Sequence, residues 1–236
     1  MSTPVISTFT DDYGTEHRVF HDAETGTQTE VWEYGSTSET VVSYRDGTLK
    51  WATSKNGRIA KISFYDAARV LHCVDGPAIV EYDESEHPRR FRYYQHGQLH
   101  RIDAPAETRY REDGSRESEA WYLCGQLDRD DGPAIVEYDQ AGHRRRIRYY
   151  QHGQLHRVDG PAVINYDQNG HVRSKQWYRY GLLHREDGPA VINYDQAGNI
   201  SYEGWFQHDK RIPPQVPLPP GQEVTVTLPE NPGVEL

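Results

Sequence analysis

The stretch DGPAIVEYD, at residues 75–83, returns four more times along this chain of 236 residues. The later copies read DAPAETRYR, DGPAIVEYD, DGPAVINYD and DGPAVINYD, and they begin at Asp103, Asp131, Asp159 and Asp187. Each step is 28 residues, without insertion or deletion. A fixed period of this size is typical of repeat proteins, in which each unit buries its apolar face by stacking on its neighbours. We number the five units from residue 75 as units one to five.

Each unit has the pattern of a β-hairpin followed by a tight turn. In unit one, Ala78, Val80 and Tyr82 alternate with Ile79 and Glu81, and we expect the first three to face the buried side. A polar turn leads to a second strand that ends in two adjacent aromatics, which should point to opposite faces. The aromatic pairs are Tyr93-Tyr94, Trp121-Tyr122, Tyr149-Tyr150, Trp177-Tyr178 and Trp205-Phe206. A glycine then reverses the chain.

No segment keeps an apolar period of 3.6 residues, so no long helix is expected. The sequence therefore predicts an all-β fold, namely an elongated, single-chain antiparallel sheet built from 28-residue β-hairpin repeats. Residues 47–212 form the predicted array, with units that begin near 47, 75, 103, 131, 159 and 187. The unit at 47 is degenerate, but Asn56-Gly57 is a strong hairpin signal within it.

Both ends of the chain depart from the repeat. Residues 1–46 do not keep the register but contain strand-like runs at 29–34 and 40–44, so we predict a diverged N-terminal β cap. Residues 213–236 hold half of the 14 prolines and one strand-like run at 223–228. We expect this C-terminal extension to fold back over the last strand. A proline-rich ligand for a partner is the alternative.

Composition narrows the classes of function. The net charge of -10 is spread along the chain, which disfavours nucleic acid and anionic membranes as partners. Cys73 and Cys124 occupy different positions of the repeat and predict neither a disulfide framework nor a zinc site. With no apolar run of membrane-spanning length and no signal-peptide pattern, we expect a cytoplasmic protein.

The joint between units reads LHR-x-DGPA and invites a metal or acid–base interpretation. Equivalent histidines, however, should lie about 10 Å apart or more if each unit adds two strands, too far to share a zinc ion. We therefore predict no metal and no cofactor, and assign the joint a structural role in which aspartate holds the turn, proline fixes φ and arginine pairs with a carboxylate. The joint residues are Asp75, Asp103, Asp131, Asp159, Asp187, Arg101, Arg129, Arg157 and Arg185.

The joint and the aromatic pair together, as W/Y-Y-x-x-G-x-L-H-R-x-D-G-P-A-x-x-x-Y, resemble a known repeat. Over residues 47–212 the pattern is similar to the MORN-related repeats of bacterial, phage and giant-virus proteins and to the YwqK-type antitoxin or immunity family. The resemblance implies Tyr-, Trp- and Gly-rich hairpins stacked into an elongated antiparallel sheet. The 28-residue unit is longer than the usual MORN hairpin.

One feature goes beyond the scaffold. Units one and three are nearly copies, RRFRYYQHGQLHR at 89–101 and RRIRYYQHGQLHR at 145–157. Arginine with tyrosine is the composition of interface hot spots, so we predict a partner-binding stripe. Its residues are Arg90, Arg92, Tyr94, Tyr122, Arg146, Arg148, Tyr150 and Tyr178. The alternative is a recent duplication with solvated arginines.

Three functions follow from these observations. The first is a non-enzymatic module that binds and neutralises a partner protein, most plausibly an immunity protein or antitoxin that covers a toxin. The second is a phage- or virus-encoded inhibitor of host defence, which acts by capture of a protein or a small nucleotide. An enzyme is disfavoured, because the candidate acid–base groups recur identically in every unit while catalysis needs one singular site. The sequence leaves the oligomeric state open.

Overall fold

The computed structural model describes residues 5–10 and 15–214, and within them the chain forms strands and turns without a helix. The leading part contains six strands of six to eight residues. They are β1 (Val5–Thr10), β2 (Glu16–Asp22), β3 (Thr27–Tyr34), β4 (Thr37–Ser43), β5 (Leu49–Lys55) and β6 (Arg58–Tyr65). Asn56 and Gly57 have φ of 53° and 76°, the left-handed pair that a two-residue hairpin turn requires, so the predicted hairpin is confirmed.

Each of the five later units contributes two strands of four or five residues and two strands of two residues. Unit one contains β7 (Ile79–Tyr82), β8 (Pro88–Arg92), β9 (Tyr94–Gln95) and β10 (Gln98–Leu99). Unit two contains β11 (Glu107–Tyr110), β12 (Arg116–Ala120), β13 (Tyr122–Leu123) and β14 (Gln126–Leu127). Unit three contains β15 (Ile135–Tyr138), β16 (Arg144–Arg148), β17 (Tyr150–Gln151) and β18 (Gln154–Leu155). Unit four contains β19 (Val163–Tyr166), β20 (Val172–Gln176), β21 (Tyr178–Arg179) and β22 (Leu182–Leu183), and unit five contains β23 (Val191–Tyr194), β24 (Ile200–Gly204), β25 (Phe206–Gln207) and β26 (Lys210–Arg211).

The longer strands form one antiparallel sheet of 16 strands. Their order is β1-β2-β3-β4-β5-β6-β7-β8-β11-β12-β15-β16-β19-β20-β23-β24. Successive hairpins therefore lie side by side in chain order, and the predicted elongated, all-β repeat sheet is confirmed. In every unit the register shifts at the same place, just before the tyrosine that ends the first strand, as between Glu137 and Tyr138. This bulge leaves one residue of the second strand without a direct partner.

The two-residue strands form a second column of hydrogen bonds beside the main sheet. Each pair is a small hairpin inserted between strands that are neighbours in the sheet, and its turn bonds to the preceding small hairpin. The N–H of Gly125 donates to the carbonyl of Leu99 at 2.8 Å, and the N–H of Gly153 donates to that of Leu127 at 2.9 Å. Consecutive units are thus held together twice, once in the sheet and once in this column.

Because of these small hairpins, the two residues of each aromatic pair do not lie in the same strand. We expected both aromatics to end one strand, but the first lies between two strands and the second opens the small hairpin. Trp121, for example, separates β12 from β13, which begins at Tyr122. The N–H of Trp121 still donates to the carbonyl of Ala134 at 2.8 Å, so the break does not leave this backbone donor unpaired.

The buried side chains lie on both faces of the sheet. The alanine of each joint is fully buried, and the members of this set are Ala78, Ala106, Ala134, Ala162 and Ala190. Val80 and Val136 are buried on the predicted face. On the other face Ile79 and Val163 are buried as well, and they lie directly opposite Arg92 and Arg148.

The predicted C-terminal strand at 223–228 and its expected return to the last strand lie outside the described residues. Within the described ranges, no helix is long and apolar enough to cross a membrane.

Candidate partner-binding face

The arginine of each joint is stacked on the first aromatic of its own unit. The distances from the guanidinium carbon to the ring centroid are 3.9 Å for Arg101 over Tyr93, 4.0 Å for Arg129 over Trp121, 3.9 Å for Arg157 over Tyr149 and 4.2 Å for Arg185 over Trp177. Each Nη1 also lies 3.3 to 3.4 Å from the carbonyl oxygen of the joint proline, to which it donates. Such stacking is a cation–π contact, which the sequence did not reveal.

The glycine of the joint makes room for this arginine. A Cβ at Gly188 would lie 2.8 Å from the guanidinium carbon of Arg185. Unit two has Ala104 at this position, yet Arg101 keeps the same stack. Joint aspartates take part in two joints, where Arg129 donates to Asp131 at 2.7 Å and Arg185 donates to Asp187 at 2.9 Å. These contacts hold the joint together and occupy its arginines.

The joint histidine contacts the turn of the next small hairpin. His100 Nδ1 accepts the N–H of Cys124 at 3.1 Å, and His156 Nδ1 accepts that of Tyr180 at 3.2 Å. In unit two the carboxylate of Asp128 replaces imidazole and accepts the N–H of His152 at 3.2 Å. No group of three or more His, Cys, Asp or Glu side chains that could hold a metal ion occurs in the part of the chain that the structure describes.

The second aromatics form a row on one face of the sheet, which we name the tyrosine face. Burial raises the pKa of Tyr122, and the nearby charge of Glu107 raises it further, which places Tyr122 beside the charged residues of β11. The phenol of Tyr150 raises the pKa of both Tyr122 and Tyr178, so the three side chains lie in a row with Tyr150 in the middle. The tyrosine face comprises Tyr94, Tyr122, Tyr150 and Tyr178 with the sheet side chains on the same side.

Cross-strand register assigns the arginines to this same face. Glu107 lies opposite Arg92 and Ala120, and Arg109 lies opposite Arg90 and Ser118. Directly opposite residues of an antiparallel pair share a face. The first aromatics lie on the opposite face of the sheet. On that face the phenol of Tyr149 raises the pKa of Tyr166. The expectation that the two aromatics point to opposite faces is therefore confirmed.

In unit one the arginines are neutralised within the sheet. Arg90 pairs with Glu107 at 3.0 Å and with Glu81 at 3.5 Å, and Arg92 also pairs with Glu81. Arg109 donates to Glu107 at 2.6 Å, so Glu107 is shared between two guanidinium groups. Burial alone would raise the pKa of the Glu107 carboxyl, but hydrogen bonds from Arg90 and Arg109 outweigh it and hold the pKa below its usual 4.5.

In unit three only part of this network exists. Arg148 pairs with Glu137, as Arg92 does with Glu81. The position of Glu107 is taken by Val163, and the position of Arg109 by Asn165, whose amide donates to Ser174 at 2.7 Å. Arg146 is consequently exposed, and its side chain has no hydrogen bond or ion pair with any described residue.

Unit two forms a depression between the two arginine groups. It has Ser118 and Ala120 where its neighbours have arginines, and the space of about 360 Å³ is lined by small, charged and aromatic side chains. On the tyrosine face its lining includes Glu107, Arg109, Tyr122, Glu137 and Arg148. The depression is shallow and polar.

The structure thus separates the predicted stripe into three groups. The tyrosines form a half-buried row, Arg90, Arg92 and Arg148 are held in ion pairs, and Arg146 is open to solvent. Sequence reasoning overlooked Arg144 and Arg145, which precede Arg146 and are also exposed. The signal available for them was the run of three arginines, where unit one has proline and two arginines. Partner binding by these residues stays a prediction.

Comparison with known proteins finds no family model that matches the chain and no curated protein that matches it by sequence.

Proposed function

We propose that this protein is a non-catalytic binding protein that neutralises a partner protein, as immunity proteins and antitoxins do, through its tyrosine face. The single observation that carries the proposal is the place of Tyr150 between Tyr122 and Tyr178, the latter within electrostatic reach of the unpaired Arg146. Tyrosine and arginine together are the residues that most often dominate the energy of a protein interface.

The construction of the face supports a macromolecular partner. The row crosses at least four units, and equivalent tyrosines belong to successive hairpins of one continuous sheet. Half-buried tyrosines lose little conformational entropy on binding and offer both an apolar ring and a hydroxyl. A shallow, polar depression suits the side chains of a partner better than the enclosure of a small molecule.

The proposal is tested by the product of a toxin-domain gene adjacent to the one that encodes this chain. We expect the two full-length proteins to co-purify as a complex and co-expression to restore growth of cells that carry the toxin. In the absence of such a neighbour, a pull-down from the natural host takes its place. Growth arrest that persists, together with no complex by size-exclusion chromatography, would overturn the proposal.

The face used is tested with a matched pair of variants. Tyr150→Ala combined with Tyr178→Ala should weaken the complex at least tenfold. Lys175→Ala, whose ammonium lies 5.6 Å from the ring of Tyr194 on the opposite face, should bind as the unchanged protein does. Equal weakening by both would place the interface elsewhere. Circular dichroism of each variant confirms that the sheet is intact.

A further inference from the structure

The basic run in β16 is the largest unsatisfied charge that the described residues present. Arg144, Arg145 and Arg146 are all exposed, and none of the three side chains has a hydrogen bond or ion pair with a described residue. Arg144 lies opposite Tyr138 and acts on the phenol of Tyr166, on the face away from the tyrosine row, whereas Arg146 acts on that of Tyr178 within the row.

A bulge directs one of these arginines toward the tyrosine face. Tyr138 lies opposite Arg144 and Glu137 lies opposite Arg146, so Arg145 has no cross-strand partner. Bulges re-aim side chains in this way. Arg145 contributes to the lining of the depression, together with Glu137 and Arg148. The cluster on this face, Arg145 and Arg146, therefore borders both the depression and the tyrosine row.

In unit one the charges of the equivalent arginines are neutralised by carboxylates. Arg89, the counterpart of Arg145, pairs with Asp83 and donates to the carbonyl of Arg111, and Arg90, the counterpart of Arg146, pairs with Glu107. Unit three keeps the arginines without these contacts. Adjacent guanidinium groups repel one another, so leaving Arg145 and Arg146 unpaired costs stability unless a ligand supplies the counter-charge.

The chemistry of the cluster selects its ligand. Guanidinium groups bind carboxylates through paired hydrogen bonds. The net charge of -10 for the whole chain opposes approach of a long polyanion such as nucleic acid, while a short acidic segment can contact the exposed guanidinium groups alone. The adjacent tyrosines can pack against the aliphatic part of such a segment.

We infer that Arg145 and Arg146 form the docking site for an acidic segment, rich in Asp or Glu, of the partner protein. This inference rests on the proposed function and adds the chemical class of the partner's contact surface. The cluster also increases the rate of association, since opposite charges steer the encounter of the two proteins.

The site is tested directly with a fluorescein-labelled octaglutamate peptide, by fluorescence anisotropy at 20 mM and 150 mM salt. We expect saturable binding that weakens with salt and a dissociation constant raised about tenfold in the variant with Arg145 and Arg146 replaced by alanine. The control is Arg144→Ala, which removes an exposed arginine from the opposite face of the same strand and should leave binding of the peptide unchanged. Equal weakening by the control would overturn the inference.

A second variant retains both arginines and so guards against a loss of folding. Val163→Glu places a carboxylate where Glu107 pairs with Arg90, and it should occupy Arg146 and weaken binding of the peptide. An octathymidylate of similar charge is the comparison ligand. If it binds as tightly as octaglutamate through the same arginines, the site is a general polyanion site and the inference fails.

The partner complex separates this inference from the proposed function. If the partner binds the unchanged protein and the double-alanine variant with equal affinity and equal salt dependence, the docking site is wrong while the proposed function stands. If no partner protein is found although octaglutamate binds as expected, the proposed function fails and the acidic ligand must come from another source.

Discussion

Units one and three carry nearly the same thirteen residues, yet their arginines are in different states. Arg90 is held by Glu107 and Glu81, while Arg146 has no ion-pair partner among the described residues. The difference comes from the following unit, which supplies Glu107 beside Arg90 and Val163 beside Arg146. In a repeat sheet, therefore, the surface of one unit is completed by its neighbour, and identical sequences do not make identical sites.

The difference in arginine pairing between the two units should disappear when unit one is made to resemble unit three. Glu107→Val introduces the residue found at the equivalent position and leaves Arg90 and Arg109 without their shared carboxylate. We expect a loss of about 2 kcal/mol in the free energy of unfolding, less than for a fully buried pair because both arginines are partly exposed. Unfolding in urea measures it, since guanidinium chloride would screen the charges. A change under about 0.5 kcal/mol would contradict the role given to Glu107.

Removing one arginine from each unit should produce unequal effects. Arg90→Ala breaks ion pairs with Glu107 and Glu81 and should cost about 1–2 kcal/mol, whereas Arg146→Ala breaks none and should stay within about 0.5 kcal/mol. Both are measured by urea unfolding at the same pH and salt concentration. Equal losses would show that Arg146 is also bound within the sheet and would remove the distinction between the two units.

The pH dependence of stability should also differ between the units, because Val163 cannot titrate. The folded-state pKa of Glu107 lies below its usual 4.5, so the carboxylate stabilises the fold above that pH and this contribution is lost as the pH falls through the folded-state pKa. The difference in free energy of unfolding between the unchanged protein and Glu107→Gln should be constant near neutral pH and shrink below about pH 4.5. A difference that does not shrink as the pH falls below 4.5 contradicts this assignment.

The smallest effect is expected at the joints. The second residue of unit two is Ala104, whereas that of unit four is Gly160. The arginines that precede them, Arg101 and Arg157, both stack on their aromatic rings at 3.9 Å. A Cβ at Gly160 would lie 3.2 Å from the guanidinium carbon, a contact that a small shift relieves. Gly160→Ala should therefore change stability by less than about 0.5 kcal/mol. A thermal melt that shows a large loss would mean that the two joints pack differently.

Local chemistry made much of the fold predictable. The 28-residue period predicted the repeat array. Turn residues such as Asn56-Gly57 predicted hairpins, because a pair of left-handed backbone conformations depends on two adjacent residues. The second column was not predictable in this way. His100 and Cys124 meet across 24 residues, and nothing in either residue alone encodes that contact.

The candidate site was only partly visible in the sequence for the same reason. The composition of the stripe was evident, but the pairing of Arg90 with Glu107 depends on cross-strand register between two units. Register is fixed by bulges and by the buried side chains on both faces, so a charged residue cannot be judged free or occupied before the strands are paired.

The two columns of hydrogen bonds set the rule by which such an array can grow or shrink. Since both columns cross every joint, only the gain or loss of a whole unit keeps every donor opposite an acceptor. Excision of residues 103–130 would close both columns again and set Ile135 beside Arg92 in place of Glu107. A single deletion of this kind would remove the Glu107 carboxylate that pairs with Arg90 of unit one. The array can therefore acquire a new binding surface without any point mutation.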